Sequence, residues 1–309
     1  MARYYMPGPD DGWIQKVVTW ARTGKRFRPS FPRAVEFQTL STCNAKCIFC
    51  PHSQSPDDIP HGRMSDELIQ KIIAECSTHM VGRISPYLTN EPLMDKRMPA
   101  ILQEIKNKSR FPVKTKINTN AGLLTEAMSR KLIEAKLDQL WISVNGYSET
   151  SYRQSMGLDF ATTMENINVF LDMKKTLRVT RPKVIVTTIR TKLVEHELEK
   201  AKEYWAKRDV DFRIHTLDNR MGEETAGTLR PDSRVPKRKL NCDLFLKQAY
   251  IVENGDMIIC CHDWKQTVKV GNVARTSIAE VWNSSYFKGL IYDYYNEKFD
   301  NIEICRTCM

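Results

Sequence analysis

A cysteine-rich stretch directly after the first strand candidate is the strongest constraint in this sequence. Residues 41–52 read STCNAKCIFCPH, in which Cys43, Cys47 and Cys50 follow a Cys-x3-Cys-x2-Cys spacing. Three thiolates on one short loop can ligate three irons of a cubane cluster and leave its fourth iron without a protein ligand. A zinc site with His52 as the fourth ligand stays open on the residues alone. Either site needs a fold that presents a loop at the end of a strand.

Composition supports a metal role for the cysteines and excludes other classes of protein. The chain has 309 residues, nine of them cysteine, and structural disulfides are rare in a reducing compartment. The N-terminal residues carry Pro, Asp and Gly where a signal peptide needs an apolar stretch, and no run is long enough to span a membrane. We therefore expect a cytoplasmic protein with no membrane partner. The formal net charge of +10 is a weak indication of nucleic acid or another anionic partner.

Short β-rich segments alternate with amphipathic helices through the middle of the chain. Six strand candidates lie between Ala34 and Leu217, and the first helix between them begins with Ser65 as its N-cap. This alternation predicts an α/β fold with a parallel sheet, and six strands predict a partial (β/α)6 TIM-like barrel. The predicted units are an N-terminal extension at 1–33, the barrel at 34–217, a polar linker at 218–241 and a small C-terminal iron–sulfur module at 242–309.

The C-terminal segment carries a second group of cysteines: Cys242, Cys260, Cys305 and Cys308. Asn254-Gly255 predicts a hairpin just before Cys260, and Ser277–Phe287 predicts a short helix. Four thiolates predict a fully ligated metal centre, since so short a segment has little core of its own. A structural zinc is the alternative to an iron–sulfur cluster. Cys76, on the apolar face of the first helix, is predicted to be a core residue.

The first cysteine stretch is identified as that of the radical S-adenosylmethionine (SAM) superfamily, and other segments resemble the family as well. Phe49 stands where the family usually has an aromatic residue near the adenine. Thr89-Asn90-Glu91-Pro92 resembles the family segment that binds the methionine amino group, with Asn90 in place of the usual glycine. The resemblance implies further cofactor contacts from polar residues at later strand ends: Asn118, Asn120, Ser143 and Arg190. Of these, Arg190 is the expected partner of the SAM carboxylate. A turn or cap is the alternative role for each.

The resemblance also implies the chemistry. SAM at the open iron is cleaved after one-electron reduction by a partner such as flavodoxin or ferredoxin, and the 5′-deoxyadenosyl radical removes a hydrogen atom from the substrate. The second cysteine set is similar to SPASM and twitch modules, which implies one auxiliary 4Fe–4S cluster on its four thiolates. Cys261, beside that cluster, is the candidate catalytic residue, as a hydrogen-atom donor to a substrate radical; the alternative is a bystander thiol that faces the other way. His262 and Asp263 are candidate proton acceptors, with placement on the surface as the alternative.

The order and number of cysteines resemble family members that oxidise an aminocyclitol alcohol or epimerise a sugar. We therefore expect dehydrogenation or epimerisation of a polar small molecule such as a sugar, aminocyclitol or nucleoside. Modification of a ribosomal peptide, and of a base or nucleotide within nucleic acid, are the alternative functions. A non-catalytic iron–sulfur or zinc protein would account for neither the three-cysteine loop nor the Glu91 segment.

Overall fold

A computed structural model describes residues 28–54, 56–220, 223–232, 242 and 244–308. Most of the expected extension at 1–33 therefore lies outside the described residues. The strands of the described residues form one nine-stranded sheet in the order β6-β5-β4-β3-β2-β1-β7-β8-β9. They are β1 (Ala34–Phe37), β2 (Arg83–Ser85), β3 (Lys114–Thr119), β4 (Gln139–Ser143), β5 (Lys183–Arg190), β6 (Asp211–Thr216), β7 (Gln248–Ile251), β8 (Asp256–Ile258) and β9 (Lys269–Asn272).

The first six strands form the open barrel that the sequence predicts. Each of β1 to β5 pairs in parallel with the next strand along the chain, and helices occupy the connections. Apolar side chains on one face of these strands pack against the helices, so that Ile117, Ile142 and Phe170 have no exposed surface. Since β6 forms one edge of the sheet, the barrel stays open. The partial (β/α)6 architecture is confirmed.

The α-helices are α1 (Pro51–Gln54), α2 (Asp66–Ser77), α3 (Met98–Lys108), α4 (Glu126–Glu134), α5 (Glu149–Met156), α6 (Phe160–Thr176), α7 (Leu198–Ala206), α8 (Glu223–Leu229), α9 (Leu244–Lys247), α10 (Ile278–Asn283), α11 (Ser285–Tyr295) and α12 (Glu303–Thr307). As predicted, Ser65 caps α2 by accepting a hydrogen bond from the N–H of Leu68 at 3.2 Å. Among the described helices, none is both long and apolar enough to cross a membrane.

Several helices differ from the sequence expectation, and the short helices α1, α9 and α12 were not predicted. α5 has no predicted counterpart, and α8 lies within the residues expected to form a polar linker. The single helix expected at 277–287 is two helices, because Ser284 ends α10 and caps α11 by accepting the N–H of Phe287 at 3.2 Å. A serine side chain that competes for backbone N–H groups can interrupt a helix in this way.

The C-terminal segment extends the barrel sheet. β7 pairs in parallel with β1, and β8 turns back against β7 through the predicted hairpin, where Gly255 has φ +88°. A Cβ at Gly255 would lie 3.0 Å from the Cβ of Ala274, so glycine suits this turn. Trp282 and Phe287, from α10 and α11, are almost fully buried in an apolar core that also includes β1, β7 and α2. The segment therefore shares the core of the barrel, which compensates for its short length.

Candidate functional site

The first three predicted ligands lie on a loop that follows β1, here called the cysteine loop (residues 42–50). The N–H of Lys46 donates to Met156 O (2.8 Å) and that of Ile48 to Ser155 O (3.0 Å), which holds this loop against the end of α5. Gly157 follows α5 with φ +66°, and a Cβ there would lie 2.8 Å from the Cβ of Lys46. The helix that was not predicted therefore shapes the cysteine loop.

Cys43, Cys47 and Cys50 come together on the cysteine loop. Burial raises the pKa of Cys43 to about 11, although the N–H of Ala45 donates to its sulfur at 3.5 Å and opposes the shift. Burial also raises the pKa values of Cys47 and Cys50, and the neighbouring thiols add to the shift at Cys47. Such thiols stay protonated near neutral pH unless a cation stabilises the thiolate. Three sulfurs grouped in this way fit the donor set of an iron–sulfur cluster.

Glu91 joins the ends of two strands to the cysteine loop. It is 2% exposed and accepts hydrogen bonds from Thr119 Oγ1 (2.6 Å), Asn120 N (2.8 Å) and Leu93 N (3.0 Å). Its own N–H donates to Thr42 O at 3.0 Å. Burial raises the pKa of Glu91 to about 7, although these three donors oppose the shift. Both carboxylate oxygens are engaged by the protein, so Glu91 shapes the segment that the resemblance assigns to SAM.

Asn90 and Pro92 flank Glu91 in that segment. Asn90 is 8% exposed, and its Oδ1 accepts the N–H of Leu88 at 3.2 Å. Its Nδ2 has no hydrogen-bond partner among the described residues. Pro92 begins a 3-10 turn over Pro92–Met94 that ends the segment. A buried donor without a partner indicates a place for a ligand or a water, so this segment fits the predicted SAM site.

Four other predicted SAM contacts lie at strand ends or on the cysteine loop. Asn118 and Ser143 are neighbours on β3 and β4, with Ser143 Oγ donating to Asn118 Oδ1 at 3.4 Å. Asn120 Nδ2 donates to Asn44 Oδ1 at 2.8 Å and so ties the end of β3 to the cysteine loop. Phe49 is half-buried on that loop. Their contacts with SAM stay predictions.

Arg190 is engaged by carboxylates of the protein itself. Its Nε donates to Glu195 Oε1 at 3.0 Å, and its Nη1 lies 3.7 Å from Asp232 Oδ2. The Arg190 side chain is 43% exposed at the end of β5. Because Glu195 already occupies the guanidinium, the predicted pairing with the SAM carboxylate would require Arg190 to exchange partners.

The second set of predicted ligands lies around the C-terminal helices. Cys260 and Cys305 are both buried. Burial is the main cause that raises the pKa of Cys260, and nearby thiols, including that of Cys305, add to the shift. Cys242 packs against the same core, and its carbonyl accepts a hydrogen bond from Tyr295 Oη at 2.8 Å. Cys308 follows α12 directly. Within the described part of the chain, no three or more His, Cys, Asp or Glu side chains have the close spacing of a single-ion site.

Cys261 lies in a different environment from Cys260. Its thiol shares a hydrogen bond with the side chain of Tyr250 and interacts electrostatically with Glu36 and Arg220. Burial raises the pKa of Cys261 to about 11, which the charge of Arg220 opposes. Tyr250 and Glu36 are register partners on β7 and β1, so their side chains share the face of the sheet opposite to Val35 and Phe37. The thiol of Cys261 is therefore on the inside of the barrel.

Arg220 is a site residue that the sequence did not predict. It lies in the expected linker, yet its Nε donates to Asp218 Oδ2 at 2.9 Å and its carbonyl accepts from Trp264 Nε1 at 3.0 Å. Burial lowers the pKa of Arg220, but Asp218 and then the thiols of Cys261 and Cys50 more than offset this effect. Arg220 thus lies between the cysteine loop and Cys261. No motif marks it, because its position depends on segments that are far apart in the chain.

Asp263 organises a loop with its carboxylate, and its role as a proton acceptor stays a prediction. It has no exposed surface, and its Oδ1 and Oδ2 accept the N–H groups of Thr267 (2.9 Å) and Val268 (2.8 Å). His262 is half-buried and close enough to Asp218 to interact electrostatically. With both carboxylate oxygens engaged, Asp263 holds the chain that follows the Cys260–Cys261 pair.

Asp263→Asn is expected to lower the free energy of unfolding by about 1–3 kcal/mol, because an amide N–H₂ would face one of the two backbone donors. Urea unfolding of the reconstituted protein measures this effect. Asp300→Asn is the matched control, since the side chain of Asp300 is 94% exposed. Unchanged stability together with lost turnover would instead assign Asp263 to proton transfer.

Two family models match this chain. Residues 242–309 match the iron–sulfur cluster-binding domain SPASM, and residues 38–204 match the radical SAM superfamily over more than half of the chain. The chain belongs to the radical SAM superfamily. Radical SAM enzymes use SAM and a 4Fe–4S cluster with a reductant, and the SPASM domain binds a further iron–sulfur cluster. The expected cofactors are confirmed, and the zinc alternatives are set aside.

Several known radical SAM proteins are similar to this chain. The S-adenosyl-L-methionine-dependent 2-deoxy-scyllo-inosamine dehydrogenase of Niallia circulans is 21% identical over 285 residues, 89% of this chain and 91% of the relative. BtrN in complex with AdoMet and 2-DOIA has a TM-score of 0.62 at 18% identity, covering 89% of this chain and 92% of BtrN. Streptococcus suis SuiB bound to precursor peptide SuiA has a TM-score of 0.69 at 14% identity, covering 96% and 73%. At these identities the structural likeness shows the radical SAM fold.

Proposed function

We propose that this radical SAM enzyme epimerises a polar small molecule, with Cys261 as the hydrogen-atom donor. The observation that carries the proposal is the placement of the Cys261 thiol inside the barrel, beside Tyr250 and Glu36. Inversion at carbon requires that one face of the substrate loses a hydrogen atom and the other face receives one. A thiol on the inside of the barrel, separate from the predicted cluster ligand Cys260, supplies the second group.

The cysteine loop and Cys261 approach the barrel interior from different strands, which supports the proposal. The cysteine loop leaves the carboxyl end of β1. Cys261 follows β8, which runs antiparallel to β7 and therefore ends towards the amino end of the parallel strand β1. A substrate bound between them would meet the radical from one side and the Cys261 thiol from the other, as inversion needs.

The residues of the chain have separate tasks in this reaction. When bound, SAM and its cluster supply the radical that removes a hydrogen atom from a substrate carbon. The S–H bond of Cys261 then breaks, and its hydrogen atom forms the new C–H bond on the opposite face. The sulfur is left one electron short, and a reducing partner of the flavodoxin or ferredoxin class supplies the electron while solvent supplies the proton. Burial of the Cys261 side chain favours the neutral thiol, which is the form that donates a hydrogen atom.

Cys261→Ala is expected to abolish inversion while the release of 5′-deoxyadenosine continues, because hydrogen abstraction does not need this thiol. The measurement is turnover in deuterated water, in which the wild-type enzyme should place one deuterium at the inverted carbon. Cys76→Ala is the matched control. Cys76 is a buried thiol on the core-facing side of α2, and its loss should leave inversion intact. Inversion at the wild-type rate by Cys261→Ala would contradict the proposal.

Oxidation of an alcohol is the second candidate, favoured by the similarity to 2-deoxy-scyllo-inosamine dehydrogenase along most of both chains. The substrate radical would then lose one electron, which the auxiliary cluster would accept, and one proton to solvent, to give a ketone, and no hydrogen atom from Cys261 would be required. In that case the product lacks two hydrogens and carries no deuterium at the reacting carbon. Mass spectrometry of one reaction therefore separates the two candidates.

A further inference from the structure

The inner face of the barrel carries a group of cations, here called the cationic face: Lys116 on β3 and Arg213 and His215 on β6. Strand register places these side chains on one side of the sheet, since Lys116 pairs with Gln139 and Trp141 with Ile185, which in turn pairs with Asp211. The contacts agree with the register. Lys116 Nζ and Arg213 Cζ lie 4.1 Å and 5.0 Å from the ring centre of Trp141.

Lys116 is the cation of this face without a counter-ion. It is half-buried, and its ammonium lies 4.1 Å from the ring centre of Trp141, with no hydrogen-bond acceptor and no carboxylate within ion-pair distance among the described residues. Burial lowers the pKa of Lys116, while Glu36 opposes that effect from a distance. A desolvated ammonium that makes no hydrogen bond is costly, and a bound anion would remove that cost.

The carboxylates near the cationic face already have partners. Glu36 accepts a hydrogen bond from Arg83 Nη2 at 2.8 Å, and Asp211 accepts from Arg213 Nη2 at 2.8 Å. Burial first, and then the charges of Arg213 and Lys116, lower the pKa of His215. Among the described residues of the barrel interior, Lys116 is therefore a positive charge without a carboxylate partner.

The cationic face lies next to the proposed hydrogen-atom donor. Cys261 and Lys116 are close enough to interact electrostatically, and Lys116 lies at the same level of the sheet as Glu36. An anionic group held by Lys116, with Arg213 Nη1 beside the pair that Nε and Nη2 form with Asp211, would therefore place the adjoining carbon atoms of the same molecule beside Cys261. A lysine acts as a point charge and an arginine as a planar fork, and both bind phosphate well.

We propose that the substrate is a phosphate ester of a sugar or cyclitol and that Lys116 and Arg213 bind its phosphoryl group. This inference rests on the proposed function and names the substrate class of the same site. A sugar monophosphate and a nucleotide-linked sugar both carry the required phosphoryl chemistry. Neutral sugars and cationic aminocyclitols would leave Lys116 without a counter-ion.

The test is calorimetric binding to the anaerobically reconstituted holoenzyme, with inorganic phosphate, pyrophosphate, glucose 6-phosphate and UDP-glucose as probes. Glucose and a neutral cyclitol are the comparison ligands. We expect phosphate-bearing probes to bind and the neutral ligands to bind about 10-fold or more weakly. Stronger binding of glucose 6-phosphate than of UDP-glucose would indicate a monophosphate, and the reverse order would indicate a nucleotide-linked sugar.

Lys116→Met is expected to weaken binding of the phosphate probes by about 10-fold or more, because it removes the charge and keeps the apolar stem. Its thermal unfolding temperature should stay the same or rise, since a half-buried ammonium is lost. Lys200→Met is the matched control, because Lys200 is exposed on α7 away from the barrel interior. No binding of any phosphate probe, equal binding by Lys116→Met, or preferential binding of a neutral ligand or an unphosphorylated peptide would overturn the inference.

The two proposals fail in different ways. Loss of phosphate binding in Lys116→Met, without deuterium incorporation in any turnover, would leave the anion site standing and overturn epimerisation. Deuterium incorporation into a neutral substrate by both the wild type and Lys116→Met would support epimerisation and overturn the phosphate site. Cys261→Ala should bind the phosphate probes as the wild type does, because Cys261 donates a hydrogen atom and does not hold the phosphoryl group.

Discussion

Glu91→Gln is expected to remove most SAM-dependent turnover and to lower the free energy of unfolding by about 2–3 kcal/mol. The carboxylate accepts three hydrogen bonds in a site that is 2% exposed, from Thr119, Asn120 and Leu93. A glutamine has one acceptor oxygen, and its N–H₂ group would face a donor at the other position. The cysteine loop would then lose part of its support, because the backbone of Glu91 donates to Thr42 O.

The pH dependence of stability gives Glu91 a signature of its own. Its folded-state pKa of about 7 lies above the ordinary value of 4.5, so the folded protein holds a proton that the unfolded chain releases. The contribution of this group to stability is therefore fully present below pH 4.5 and is lost as the pH rises through 7. Wild type should lose up to about 3 kcal/mol across this window, whereas Glu91→Gln should lack that component.

Denaturant unfolding of the reconstituted enzyme at several pH values, together with 5′-deoxyadenosine release, measures both effects. Glu199→Gln is the matched control, since its side chain is 81% exposed on α7. If Glu91→Gln cleaved SAM at the wild-type rate, Glu91 would not support the cofactor segment. If its stability changed with pH as the wild type does, another group would carry the dependence.

Asp138→Ala is expected to cost about 3–5 kcal/mol of stability, because it leaves the largely buried Lys106 ammonium and the buried N–H of Thr115 without this acceptor. Asp138 is 7% exposed and lies at the amino end of β4, where its Oδ1 accepts from Arg181 Nη1 at 2.7 Å. Its Oδ2 accepts from Lys106 Nζ and from Thr115 N, the latter at 2.8 Å. The carboxylate thus joins α3, β3, β4 and the start of β5.

The effect of Asp138→Ala should be confined to stability. Asp138 lies at the opposite end of β4 from Ser143, so SAM cleavage at a temperature where the variant is folded should match the wild type. Thermal unfolding and 5′-deoxyadenosine release measure the two properties. Asp172→Ala is the control on an exposed ion pair, with a side chain 73% exposed, and should cost less than about 1 kcal/mol. A similarly small cost for Asp138→Ala would contradict this reading of the network.

The barrel was predictable because its signals are local. Strand runs such as Lys183–Ile189 and the Ser65 cap depend on a few consecutive residues, and the structure confirms both to within a residue. The hairpin at Asn254-Gly255 is local as well, since a left-handed turn demands glycine. The cysteine spacing was sufficient to identify the family, because three ligands of one cluster lie on one loop.

The remaining features depend on contacts between distant segments. The pairing of β7 with β1 joins residues more than 200 positions apart, and no periodicity indicates that. Arg220 was not recognised in the expected linker because the cysteine loop, Cys261 and Trp264 are far from it in the chain and come to it only in the fold. Lys116 was within reach of sequence reasoning, since it precedes Asn118 by two residues and so shares its face of β3. Glu195 follows Arg190 by five residues. It can pair with the guanidinium, in place of the SAM carboxylate, only because the chain turns after β5.

The antiparallel return of β8 also limits what the enzyme can accept. Backbone ladders join β1, β7 and β8 without a hinge, and each residue along a strand advances by about 3.3 Å. The strands that lead to the cysteine loop and to Cys261 are therefore held at a fixed separation by paired backbone. Under the proposed function, a substrate bound between the cysteine loop and Cys261 would be selected by its length as well as by its charge.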